Sequence, residues 1–199
     1  LPTQRRRQRQ MCIRDREDSS RDSKRFQFER FILTQLLVMA LKGVPAFYLP
    51  ALLASENDIK SFSMTGQRRD LNREKFKLDN LVSVLNNPES NANKNIKYLG
   101  NAMDIRSKLE QFHPSSEMEC LSKGRSDIVV IKRGKGPKSV FAIHNMTENK
   151  INYQLDDYDL PELIDNDFNM KDFLASTKYN WKNISLDPFQ VIWLGSLMK

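Results

Sequence analysis

Arg68, Arg69 and Arg73 stand within one short stretch, interleaved with Asp70 and Asn72. A planar, always-charged guanidinium can hold a sugar hydroxyl and a carboxylate at once in fixed geometry. The cluster therefore has the chemistry to clamp a polyhydroxylated or anionic small molecule. Asp70 and Asn72 suit a different task, fixing the loop by hydrogen bonds to nearby backbone. Upstream, Glu56, Asn57 and Asp58 supply further polar side chains in a turn-prone segment. The two histidines, His113 and His144, are far apart, and neither has a cysteine or carboxylate at metal-ligand spacing, so neither metal nor cofactor is expected. Trp181 and Trp193 are expected in a core rather than stacked on sugar. Cys120, in an apparent strand, is expected to be buried and inert.

The arginines need elements to carry them. Phe28, Phe31, Ile32, Gln35, Leu36 and Met39 recur at helical spacing, with Leu33, Leu37 and Val38 on the other flank. This predicts a helix over 26–41, apolar nearly all round and hence buried, entered near Asp22 or Ser23 and stopped by Gly43 and Pro45. Standing alone it would expose apolar faces, so something upstream is expected to cover it. Ala46–Leu49, closed by Pro50, reads as a short buried strand of a parallel sheet. From Ala54 to Gln67 the chain is polar and expected to be irregular. Helix, tight turn, buried strand, then a polar loop is the order of one barrel step, in which loops at the carboxyl ends of strands carry the active site.

Further helices are expected over 78–85 and 93–112, the latter with a stripe of Ile96, Leu99, Met103, Ile105, Arg106 and Leu109, ended by His113-Pro114. Beyond Pro114 the period falls to two. Strands are expected at 128–132, 140–144, 151–155, 184–186 and 189–194, with turns at 134–136 and 145–149. Asp156 to Asp172 reads as an acidic, irregular connection. The strands form a small antiparallel sandwich.

The chain has 199 residues, 39% hydrophobic and 29% charged, which allows one domain or one and a part. Its most apolar window, 31–41, is too short to span a bilayer, so no membrane partner is expected. The net charge of +7 points towards nucleic acid, but residues 1–16 carry +5 of it and the rest only +2. Within them Met11-Cys12-Ile13-Arg14-Asp15-Arg16 resembles the translation of a transposase mosaic-end adaptor. Residues 1–16 are therefore expected to be a sequencing scar, with a basic nucleic-acid-binding arm as the alternative. Without Cys12, Cys120 stands alone, which fits a reducing compartment and a cytoplasmic location.

Three blocks carry a family resemblance: Leu41-Lys42-Gly43-Val44-Pro45-Ala46-Phe47-Tyr48, Ser55-Glu56-Asn57-Asp58, and Thr65-Gly66-Gln67-Arg68-Arg69-Asp70-Leu71-Asn72-Arg73-Glu74-Lys75. Here, and again at Pro188–Leu194, the chain resembles the α-amylase family of glycoside hydrolases, within it the sucrose phosphorylase subfamily. The third block is the most specific. The resemblance implies an α/β plus β chain: the last α/β unit of a (β/α)8 TIM barrel over 17–113, then a small antiparallel β-sandwich domain over 114–199. It implies a retaining glucosyl phosphorylase that passes glucose from a glucoside to inorganic phosphate. Sugar donor and phosphate are then the partners.

By the same resemblance, Arg69 lines the glucose subsite. Glu56, Asn57 and Asp58 read as a turn, with lining of the acceptor side, above all by Asn57 and Asp58, as the functional alternative. Arg68 replaces a glycine of sucrose phosphorylases, which places the chain nearer the branch acting on sucrose 6′-phosphate or glucosylglycerate. Arg73 reads as structural. The family's three catalytic carboxylates belong to earlier barrel strands, so none is assigned here. The chain is accordingly expected to be a carboxyl-terminal piece, inactive alone. An amylase-type hydrolase or transglucosylase, and a stand-alone carbohydrate-binding β-domain, remain as alternatives.

Overall fold

The computed structural model describes residues 25–72, 75–122, 124–155 and 169–196. Helix α1, Gln27–Ala40, follows Phe26, whose left-handed backbone (φ 63°) and ring, 5.7 Å from that of Phe189, set the helix start. The expected caps Asp22 and Ser23 lie outside the described residues. α1 buries Ile32, Leu33, Gln35, Leu36, Met39 and Ala40. Gly43 adopts φ 115°, a conformation that a side chain opposes, and closes the helix as expected.

The predicted strand at Ala46–Leu49 does not form. Residues 44–48 form neither helix nor strand and pair with no strand among the described residues, although Tyr48 is extended. A single helical turn, α2 (Leu49–Leu52), follows, with Pro50 in its first turn, where a missing N–H is tolerated. A buried parallel strand needs hydrogen-bonded neighbours, and the described residues supply none, so Val44, Tyr48 and Leu49 stay exposed.

The stretch expected to be irregular holds a helix, α3 (Ile59–Thr65). It is too short to show a period in sequence, and its end groups define it instead. Helices α4 (Leu78–Asn86) and α5 (Asn91–Lys108) match the expected helices in kind. Ser90 caps α5 by accepting the Asn93 N–H at 3.1 Å. The buried face of α5 differs from the expected stripe: Ala92, Asn95, Leu99 and Ala102 point inwards, while Ile96 and Met103 are exposed.

Among the described residues eight antiparallel strands follow: β1 (Met118–Cys120), β2 (Ile128–Arg133), β3 (Val140–Asn145), β4 (Ile151–Tyr153), β5 (Asn169–Asp172), β6 (Lys178–Asn180), β7 (Ile184–Leu186) and β8 (Val191–Gly195). Six form one sheet in the order β1-β2-β3-β8-β5-β6, and β4 pairs with β7 in a second. The five expected strands are present. β1 and β6 are short edge strands without an alternating apolar signature, and β5 emerges from the stretch read as irregular.

Strand alternation divides the interior in two. One face of the large sheet, with Ile131, Val140, Ala142, Val191 and Trp193, packs on α1 and α5 through Leu36, Met39, Leu99 and Ala102. The other face, with Ile128, Val130, Phe141, Ile143, Ile192 and Leu194, packs on Ile184 and Leu186 of the small sheet and on Leu155 and Trp181. Both tryptophans are core residues, as expected. The chain is thus layered helices, large sheet, small sheet. Among the described residues, the apolar α1 is covered by the large sheet and α5.

A candidate substrate loop built on arginine and asparagine anchors

The four residues singled out for substrate contact lie on one compact unit, residues 54–72. Asp58 caps α3: its Oδ1 accepts the Ser61 N–H at 2.8 Å, and its other oxygen accepts the Ser61 hydroxyl. These two bonds, the hydroxyl first, hold the Asp58 carboxyl below its ordinary range. Gly66, at φ 65°, terminates α3 with its N–H on the Phe62 carbonyl at 2.8 Å. The chain then reverses into a short 3-10 helix, Arg68–Asn72, which carries the arginines.

Two bonds hold the halves of this unit together. The Asp58 N–H donates to the Leu71 carbonyl at 2.8 Å, and the Thr65 hydroxyl donates to Asp70 Oδ2 at 2.6 Å. Asn57 and Asp58 are thereby brought beside the segment bearing Arg68 and Arg69. Asp70 does what its residue type suggested and braces the loop. Its second oxygen lies 3.9 Å from Arg69 Nε, a long contact made by an arginine side chain that is 64% exposed. A pair of this length and exposure is worth little, so the Arg69 guanidinium is available to another acceptor. Arg68 is exposed as well. Arg73 lies outside the described residues.

The anchors beneath this unit were not legible as such in the sequence. Arg133, at the end of β2, is fully buried. Its guanidinium donates to the carbonyls of Ala40 at 3.0 Å, Leu41 at 2.8 Å and His113 at 3.0 Å, with a longer bond to Glu117. Arg106 of α5 donates to Met39 at 2.9 Å and to Gly43 at 2.8 Å. Two cations thus occupy the carboxyl end of α1, where orphan carbonyls and the helix dipole favour positive charge. Both flank the Phe112 ring, 5.7 Å and 5.5 Å from its centroid. Burial lowers both guanidinium pKa values, and for Arg133 the neighbouring Arg106 lowers it further. Farther along, Asn95 of α5 donates to the carbonyls of Ala51 at 2.9 Å and Leu52 at 2.8 Å.

A signal existed for each anchor. Arg133 shares the inward face of β2 with Ile131, and Asn95 stands one turn before Leu99 on the buried face of α5. Cys120 departs from expectation: on the edge strand β1 it is exposed, and a hydrogen bond from Ser122 lowers its thiol pKa. His144 is a core residue, buried where β3 meets α1.

No protein-family model matches the chain. Over 130 residues it is 28% identical to a glucosylglycerate phosphorylase of Allomeiothermus silvanus, an overlap of 65% of this chain and 23% of that protein. It is 21% identical over 165 residues to a glucosylglycerate phosphorylase of Escherichia coli strain K12, covering 83% of this chain and 28% of that protein. Among solved structures, the trehalose-6-phosphate hydrolase of Bacillus licheniformis superposes with a TM-score of 0.61 at 15% identity, over 87% of this chain and 39% of that one.

The chain shares its fold with solved α-amylase-type enzymes and is similar in sequence to glucosylglycerate phosphorylases.

The structural likeness, at such low identity, establishes the fold, and the curated relatives are phosphorylases. The chain spans about a quarter of the length of these curated relatives.

Proposed function

We propose that this chain is the carboxyl-terminal part of a retaining glucosyl phosphorylase, which passes glucose from a glucoside to inorganic phosphate. The observation that carries the reading is the similarity to two glucosylglycerate phosphorylases over most of the chain. The arginine loop supports it: Arg69 is exposed, only weakly paired, and borne on a braced unit. In this reading Arg69 binds glucose hydroxyls, Asn57 and Asp58 face the acceptor side, and Arg68 attracts an anionic donor such as glucosylglycerate. Residues 44–52 then continue the last step of the catalytic barrel, and the sheets form the β-domain beside it. The nucleophile and the acid of the two-step reaction come from barrel strands outside this chain.

The test is phosphorolysis. The product of the longer coding sequence, given glucosylglycerate and phosphate, is expected to release glucose 1-phosphate, and the present chain alone is expected to release none. Free glucose produced at a rate independent of phosphate would favour the hydrolase reading. Glucose 1-phosphate from sucrose but not from glucosylglycerate would reject the donor.

A further inference from the structure

We propose that Asn95 is a positioning residue for the arginine loop, holding the root of the 54–72 unit through two backbone carbonyls. Asn95 is fully buried on α5. Both hydrogens of its amide are spent on α2, on the carbonyls of Ala51 at 2.9 Å and Leu52 at 2.8 Å. Its Oδ1 is equally buried and accepts no hydrogen bond among the described residues. The flipped amide would face an oxygen towards two oxygens, so the pair of acceptors fixes the orientation. An acceptor left dry is costly to a fold. An apolar residue of the same size would avoid that cost, but it would also release α2.

What α2 carries explains the arrangement. Directly after it, Ala54 takes the left-handed conformation at φ 47°, which a residue with a Cβ resists. The turn is closed by the Ser55 N–H on the Pro50 carbonyl at 2.9 Å and the Ala54 N–H on Ala51 at 3.2 Å. It aims the chain into Asn57 and Asp58, whose backbone then grips Leu71 beside Arg69. The strained turn and the gripped loop both begin at the two carbonyls that Asn95 holds, beside the apolar contacts of buried Leu53 and half-buried Leu52. Released, α2 is one turn of helix with no buried residue of its own and insufficient length to persist. The loop would lose a fixed origin, and Arg68 and Arg69 a fixed address.

The test uses the chain itself, so its failure counts against the anchor and leaves the reading of Arg69 as a sugar ligand standing. Trypsin cuts after arginine, and Arg68 and Arg69 are exposed. Asn95→Leu removes both donors and the dry acceptor together. Its melting temperature is expected within about 4 °C of the parent. Cleavage after Arg68 or Arg69, followed by fragment mass, is expected to accelerate at least tenfold, while cleavage after Lys97 and Lys108 on α5 is unchanged. An unchanged rate at Arg68 and Arg69, or equal acceleration at Lys97, would overturn the proposal. If Asn95→Leu does not fold, hydrogen exchange on the parent decides. The Ser55 and Asp58 amides are expected to exchange together, protected at least a hundredfold. Exchange of either at the free-chain rate, with the Leu99 amide still protected, would sink the idea.

Discussion

The two sheets of residues 118–196 leave no large apolar side chain exposed among the described residues except Met118, whereas residues 38–103 expose Val44, Tyr48, Leu49, Ile59, Met64, Leu78, Val82, Tyr98 and others. Both regions fold from the same chain and share the core between α1 and the large sheet. The difference lies in how each is covered. In the large sheet, alternation gives each apolar residue a face to pack on, because the helices lie on one side and the small sheet on the other. The helices have one packed layer beneath them and none above among the described residues. Exposed apolar side chains in this number suit a contact surface. Its location around 44–49 and on α4 fits the proposed place of this region against further barrel elements. The arginine loop rises from that less covered region, so its order depends on a few anchors rather than on a surrounding core.

The largest expected effect comes from breaking the joint between the regions. Arg133→Met keeps the stem of the side chain but deprives the Ala40 and Leu41 carbonyls, at the carboxyl end of α1, of their donor, while the His113 and Glu117 carbonyls keep the N–H groups of Ser116 and Gly134. Buried acceptors left unpaired cost roughly 1–3 kcal/mol each, so a loss on the order of 4 kcal/mol is expected in urea unfolding. If the sheets carried all the stability on their own, the midpoint would hardly move.

Acid should act at the same joint through His144. Burial holds its pKa at about 4 in the folded chain, against 6.5 for the free group, with the Val129 carbonyl 3.2 Å from Nδ1. Between these values the unfolded chain takes up a proton that the native state refuses. The stability present above pH 6.5 is therefore lost as pH falls towards 4, by about 3 kcal/mol, with no further loss from this group below that. His144→Leu is expected to flatten this part of the profile. A parent whose stability is level from pH 7 to 4 would refute the assignment.

A smaller effect sharpens the contrast within the helical region. Ala54→Gly relieves a left-handed alanine and is expected to stabilise by up to about 1 kcal/mol, offset partly by the greater freedom of glycine in the unfolded chain. The same exchange at Ala142, packed in β3, is expected to destabilise.

This contrast also explains what the sequence disclosed. The core strands were legible because two packed faces make them short apolar runs bounded by turn residues, and α1 because its apolar period is strong. The strand expected at 46–49 failed because pairing depends on neighbours that no local pattern contains. α3 escaped because a helix this short is defined by Asp58 and Gly66 rather than by period. Of the candidate site, the arginines and their neighbours at 57–58 were visible as residue types. Arg133 and Asn95 were not, because a buried polar side chain gains its meaning from distant carbonyls. The edge strands β1 and β6, paired on one side only, leave almost no apolar trace.

The smallest effect tests the comparison most directly. No residue of α4 is buried, and Leu78 and Val82 are 73% and 48% exposed. Val82→Lys removes no packed contact and places a charge in water, so the stability of this chain should change by no more than about 0.5 kcal/mol. The equivalent insult to the sheets, Ile192→Lys, buries an unpaired ammonium between two layers and is expected to prevent folding. If the apolar face of the helical region is a contact surface, Val82→Lys should be silent only here. In the product of the longer coding sequence, where that face would be covered, the same substitution should lower the melting temperature by several degrees. Equal indifference in both would mean that α4 faces solvent throughout and that the exposed apolar surface is incidental.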